Sequence, residues 1–222
     1  MESDSPYING TNKLVAASSL DFLLIEIVPL AQSIVQQLIE DAGARPGRPG
    51  SSSSANGGGA GGAGGSNVSG GISGTSSSPA NSSMTADENL DDVYYRIEGY
   101  GHRVGLGLSQ IFTKDRPWFT DQLDIMKFVC KELWVILYKK QIDNLKTNHR
   151  GTYVLTDTQF KYCSRMGTAY GPKETLRRAT PYLWFPAGVI RGALSALGID
   201  AAVTFDADQL PKVTFNIQTS PT

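Results

Sequence analysis

The sequence predicts an α+β domain, an antiparallel sheet covered by about four helices. Three observations carry this. Apolar residues recur at helical spacing over 19–42, 88–113, 121–140 and 181–197. Two pairs of short segments, 141–147 with 152–157 and 200–206 with 211–218, are rich in β-branched and aromatic residues and flank turn residues. The order is helices, hairpin, helix, hairpin, which differs from the β–α alternation of a parallel sheet.

The first helix places Leu20, Leu23, Leu24, Ile27, Ala31, Ile34, Val35 and Leu38 on one face. Ser18 or Ser19 is positioned to cap its start. Pro29 lies inside it and predicts a kink near Ile25. The apolar run at 22–30 contains Glu26 and Pro29 and is too short to span a bilayer. The start, MESDSPYING, is polar and acidic and does not read as a signal peptide.

Residues 43–86 are almost all Gly, Ser, Ala, Pro and Asn. Such a composition buries too little apolar surface to offset its ordering entropy, so a disordered connection is expected. Lengthening a connection from ~6 residues to about 44 costs only roughly 1.8 kcal/mol of closure entropy. One domain over 18–222 can therefore carry it as an insertion, after a flexible N-terminus at 1–17.

The second helix puts Tyr94, Ile97, Gly101, Val104, Leu108 and Ile111 on one face. Gly99, Gly101, Gly105 and Gly107 are unusual there, since each costs up to ~1 kcal/mol relative to Ala. Their G-x-G-x-x-x-G spacing departs from the phosphate-loop pattern, and no strand precedes them. They read as a helix surface cleared for close approach by another helix.

The third helix is apolar nearly all round, with Met126, Phe128, Val129, Cys130, Leu133, Trp134, Ile136 and Leu137, and belongs at the centre. Cys130 is then a small buried hydrophobe. Lys139 and Lys140 close the helix, where cations favour its dipole. "NHRG" at 148–151 turns the first hairpin and places His149 at its tip as an inert turn residue. The fourth helix carries Gly188 and Gly192 as small positions and Arg191 as a lone charge, either ion-paired or reaching to the surface. Gly198 ends it in the left-handed conformation.

Formal net charge is −1, so no whole-molecule field draws nucleic acid or anionic lipid. Residues 139–178 nevertheless hold nine Lys or Arg against three acids, which predicts a basic face. Residues 139–150 interleave no aromatics with their basic residues, so a nucleic-acid edge is not expected. Two cysteines, Cys130 and Cys163, with two histidines do not make a four-ligand zinc pattern, and a reduced, cytosolic setting is the simplest reading. No nucleophile elbow or P-loop occurs, so no catalytic residue, cofactor or metal site is expected.

The runs "GYGHRVGLGL" (99–108), "QLDIMKFVCKELW" (122–134), "KKQIDNLKTNHRGTYVL" (139–155) and "GVIRGALSALGI" (188–199) closely resemble the subunit 6 family of the TRAPP complex. That complex is the transport protein particle, a multisubunit vesicle tether and Rab guanine-nucleotide exchange factor. The likeness covers about residues 18–42 and 88–218; the Gly/Ser-rich insertion lies outside the family pattern. The resemblance implies a two-layer α/β plait and a non-catalytic core subunit in ER-to-Golgi and intra-Golgi transport. It implies pairing with a paralogous small subunit through the first helices, then assembly with larger subunits. Contact with a Rab GTPase and with membrane would be indirect. The candidate interface is Leu20, Leu23, Leu24, Ile27, Ile34 and Leu38 of the first helix with Tyr94, Ile97, Gly101, Val104, Leu108 and Ile111 of the second. In the related partner subunit a cysteine carries a buried acyl chain; this chain has no cysteine before Cys130, so no acylation site is carried over. The competing readings are an acyl-chain or small-molecule binding module, and an anionic-membrane surface formed by residues 139–178.

Overall fold

The computed structural model describes residues 16–44, 86–148 and 150–220. Most of the N-terminal segment, nearly all of the Gly/Ser-rich insertion and the hairpin-tip residue His149 therefore lie outside the described residues. Helix α1 (Ala17–Ala44) runs on through Pro29, and Ser18 and Ser19 fall in its first turn rather than at its cap. Helix α2 spans Ala86–Thr113.

The expected third helix is divided into α3 (Gln122–Phe128), a π-helical turn (Val129–Leu133) and α4 (Trp134–Tyr138). The hydrogen bonds explain the break. The Cys130 carbonyl accepts the Ile142 N–H at 3.0 Å from outside the helix. Its usual donor, the Trp134 N–H, bonds Val129 O instead, one residue further back. Lys139, at φ 63°, then ends the helix in the left-handed region. Strand β1 begins at Asn144 and runs only to Thr147.

Strand β2 (Thr152–Asp157) follows, then a 3-10 turn (Cys163–Arg165) and α5 (Pro172–Ala196). Pro181 does not start α5; Pro172 does, behind an N-cap glycine, and Pro181 and Pro186 lie buried inside the helix. Proline suits a first turn but only disfavours an interior, so burial of the apolar face overrides the cost. Gly198 ends α5 at φ 81°, with Ile199 N–H on Leu194 O at 2.9 Å and Gly198 N–H on Ser195 O at 3.2 Å. That pair is the Schellman pattern. Strands β3 (Ala201–Asp206) and β4 (Val213–Thr219) complete the fold.

The sheet is antiparallel throughout, ordered β1-β2-β4-β3. Leu155 lies opposite Leu145 and Phe215, and Ile217 lies opposite Tyr153 and Val203, so these share one face. Trp134 meets Phe215 edge-on at 5.4 Å, and Trp184 of α5 meets Phe205 at 5.2 Å. The helices thus cover that face, while Thr204, Asn216 and Lys146 point the other way. This is the expected two-layer α+β arrangement.

Candidate partner interface

Two of the four α2 glycines, Gly101 and Gly105, are consumed inside the chain, while Gly99 and Gly107 face open space. A Cβ on Gly101 would collide with the Phe185 carbonyl, and one on Gly105 with that of Val189. The clearance is mutual: Cβ atoms on Gly188 and Gly192 would strike the carbonyls of Glu98 and His102. Helices α2 and α5 therefore cross backbone to backbone, and Glu98 pairs with Arg191 at 2.7 Å beside the crossing. Arg191 combines the two readings: it is ion-paired, yet its side chain is 38% exposed rather than buried.

Helix α1 packs on α2 with Leu24, Ile27, Val28, Ala31 and Val35 buried. Its N-terminal end is tied to the far side of the fold: Asp21 accepts from Lys161 Nζ at 2.6 Å and from Tyr162 Oη at 3.3 Å. The Lys161 bond holds the Asp21 carboxyl below its usual range. Ser18–Asp41 is long and apolar enough to cross a membrane by length and composition alone. That apolarity reflects two faces, one packed on the domain and one exposed.

The expected interface residues accordingly divide. Leu24, Ile27, Ile97 and Gly101 are buried within the chain, and Tyr94 stacks on Trp184 at 5.3 Å. Leu20, Ile34 and Leu108 are half-buried. Leu23, Leu38, Val104 and Ile111 stand exposed, Ile111 at 67%. Leu30 is exposed too and escaped the sequence reading. It lies seven residues after Leu23 and four before Ile34, a second seam at helical spacing flanking the buried one. Along α2, the first half of the apolar face is buried at Val93 and Ile97. Val104, Leu108 and Ile111 extend beyond it.

The basic segment 139–178 is partly internal. Lys140 bridges Asp143 at 2.9 Å and the wholly buried Asp157 at 2.6 Å. Asp157 also accepts from Trp134 Nε1 at 3.0 Å. Asp143 accepts from the backbone N–H and the hydroxyl of Thr158, each at 2.7 Å, and these bonds with Lys140 hold its carboxyl at about 2. Lys140 is thus a buttress that ties the end of α4 to the residue before β1 and to the end of β2.

Cys130 and Cys163 are buried and unpaired, and burial pushes both thiols up to about 12. Neither is poised as a nucleophile. The apolar void between α1 and α5, lined by Leu24, Ile27 and Phe185, holds only about 10 Å³. An acyl chain does not fit there, which disfavours an acyl-chain site at that place. Among the described residues no group of His, Cys, Asp or Glu is placed to hold a metal ion.

Comparison with known proteins identifies a family. The family model described as "Transport protein particle (TRAPP) component" matches residues 20–220. Trafficking protein particle complex subunit 6b of Danio rerio is 42% identical over 62% of this chain and 85% of its own length. Subunit 6B of Homo sapiens is 48% identical over 55% of this chain and 75% of its own. A solved trafficking protein particle complex subunit 3 from Naegleria fowleri, covalently bound to palmitic acid, superposes with a TM-score of 0.49 at 13% identity. It covers 60% of this chain and 82% of that one. The chain, matched over its described helices and strands, belongs to the TRAPP component family, in its subunit 6 branch.

Proposed function

We propose that this chain is a non-catalytic core subunit of the TRAPP tethering and Rab-exchange complex, acting by heterodimerisation with a paralogous small subunit. The observation that carries the reading is the apolar surface left over after the chain has folded. Leu23, Leu30 and Leu38 on α1, with Val104 and Ile111 on α2, remain exposed. Each would gain about 1–2 kcal/mol when covered. A monomer exposes single apolar residues freely, but two helices bearing runs of them suit a permanent partner.

Larger subunits would then join, and contact with a Rab GTPase and with ER-derived and Golgi membranes would come through the assembly. The subunit would act in the cytoplasm on those membranes, in ER-to-Golgi and intra-Golgi transport. The test is coexpression with the paralogous core partner, followed by size exclusion with light scattering. The reading expects a stable one-to-one complex that the double substitution Leu108→Asp, Ile111→Asp abolishes. A folded monomer indifferent to the partner would overturn it.

A further inference from the structure

A cleft of about 650 Å³ opens between α1, the start of α2, the segment after the 3-10 turn and the first turns of α5. Arg165, Arg177 and Arg178 line it, and no Asp or Glu does. Arg177 and Arg178 are organised by one carboxylate behind them. Glu174 accepts from Arg177 Nε and Nη2, both at 2.9 Å, and from Arg178 Nε at 2.8 Å. These bonds pull the Glu174 carboxyl down to about 2, so it stays charged. Two like charges are thereby fixed side by side, with Nη1 of Arg177 and both terminal amino groups of Arg178 left for another acceptor. Arg165 has no ion-pair partner among the described residues. The lining also includes apolar and aromatic side chains, Met166, Tyr94 and Tyr182, beside the polar Gln32, Thr168 and Thr175. The stacking of Tyr94 on Trp184 holds its ring in place.

We propose that this cleft binds a phosphate ester, its phosphoryl group held by Arg165, Arg177 and Arg178 and its body against Met166 and the two tyrosine rings. Planar guanidinium forks match phosphate oxygens pairwise, and three of them with one shared carboxylate leave charge for a dianion. The ester could be a soluble metabolite or the headgroup of a lipid, since the recognising chemistry is the same.

The test uses the full chain with three probes: inorganic phosphate, soluble inositol 1,4-bisphosphate, and phosphatidylcholine vesicles with and without phosphatidylinositol 4-phosphate. Calorimetry should show saturable bisphosphate binding and weaker phosphate binding. Arg165→Gln and Arg178→Gln should each weaken the bisphosphate about tenfold or more. Arg150→Gln, on the first hairpin, should leave it unchanged. Arg165 carries no ion pair, so its variant keeps the test valid even if Arg178→Gln loosens α5; thermal melts check both. Vesicle capture that soluble bisphosphate competes away would assign a lipid headgroup, and soluble binding without capture would assign a free ester. Absence of binding by every probe, equal loss with Arg150→Gln, or vesicle adsorption that bisphosphate cannot compete would each overturn the proposal. None of these outcomes depends on the partner complex, so the result is read separately from the heterodimer.

Discussion

The Nζ of Lys140 lies 2.6 Å from Oδ1 of Asp157, a carboxylate with no solvent exposure, while Trp134 Nε1 donates to its other oxygen at 3.0 Å. The lysine that looks like part of a basic surface is the counter-ion of a buried acid. Its stem spans the end of α4 and the end of β2.

Lys140→Met should therefore destabilise the protein strongly, by about 3–5 kcal/mol, because it leaves a buried charge with only neutral donors. The double variant Lys140→Met, Asp157→Asn should recover much of that loss, since no buried charge then remains unpaired. Urea denaturation of the single and double variants gives the coupling directly. Equal stability of Lys140→Met and wild type would sink the buttress reading.

The glycines of α2 should split by sign. Gly101→Ala and Gly105→Ala push a methyl group into the backbone carbonyls of Phe185 and Val189 and should cost about 2–3 kcal/mol or more. A methyl group added at Gly99 or Gly107 would meet nothing within 4 Å, and replacement of either by Ala should stabilise by up to ~1 kcal/mol. Midpoints of chemical denaturation for the four variants would test this. A uniform response would mean that the two helices cross less closely than backbone to backbone.

Particular residues show what could be read from sequence. Periodicity located α1, α2, β2 and β4 because each buries one clear face. It also marked the α2 glycines as a close-approach surface. It did not reveal that α5 of the same chain fills that surface, because a helix face looks alike whichever neighbour covers it. Ile97 and Ile111 illustrate the same limit: they share the stripe, yet one is core and the other exposed. The π-helical turn escaped because its cause, the Ile142 N–H reaching Cys130 O, is a tertiary bond. The start of α5 was misplaced because two prolines compete for the first-turn role and only packing selects Pro172. The Arg165–Arg177–Arg178 cleft is invisible because the loop and the helix that make it come together only in the fold.

Acid should reveal the Asp143 bonds. The folded carboxyl sits at about 2, below its ordinary 3.8. A depressed folded value stabilises above pH ~4, and that contribution is lost as pH falls toward 2. The side chain is 37% exposed, so solvent screening limits the effect to under ~1 kcal/mol. Asp143→Asn should flatten the stability profile between pH ~4 and 2 while leaving its shape above pH 5 unchanged. Denaturation midpoints across that range, indistinguishable between variant and wild type, would rule the contribution out.

Ile97 and Ile111 separate folding from assembly on one helical face. Ile97 has no exposure, whereas Ile111, about four turns further along α2, is 67% exposed. A carboxylate at the first position must be buried without a partner, so Ile97→Asp should unfold the domain or cost several kcal/mol. At the second it meets water, so Ile111→Asp should change monomer stability by no more than about 0.5 kcal/mol. Ile111→Asp should nonetheless weaken or abolish the one-to-one complex with a paralogous small subunit, because it places an unpaired charge where apolar surface is to be covered. Circular dichroism melts paired with light scattering distinguish the two effects. A variant that melts like wild type and still assembles would move the interface off α2 and onto the exposed flank of α1. There, Leu23→Asp and Leu30→Asp would be expected to break the complex in its place.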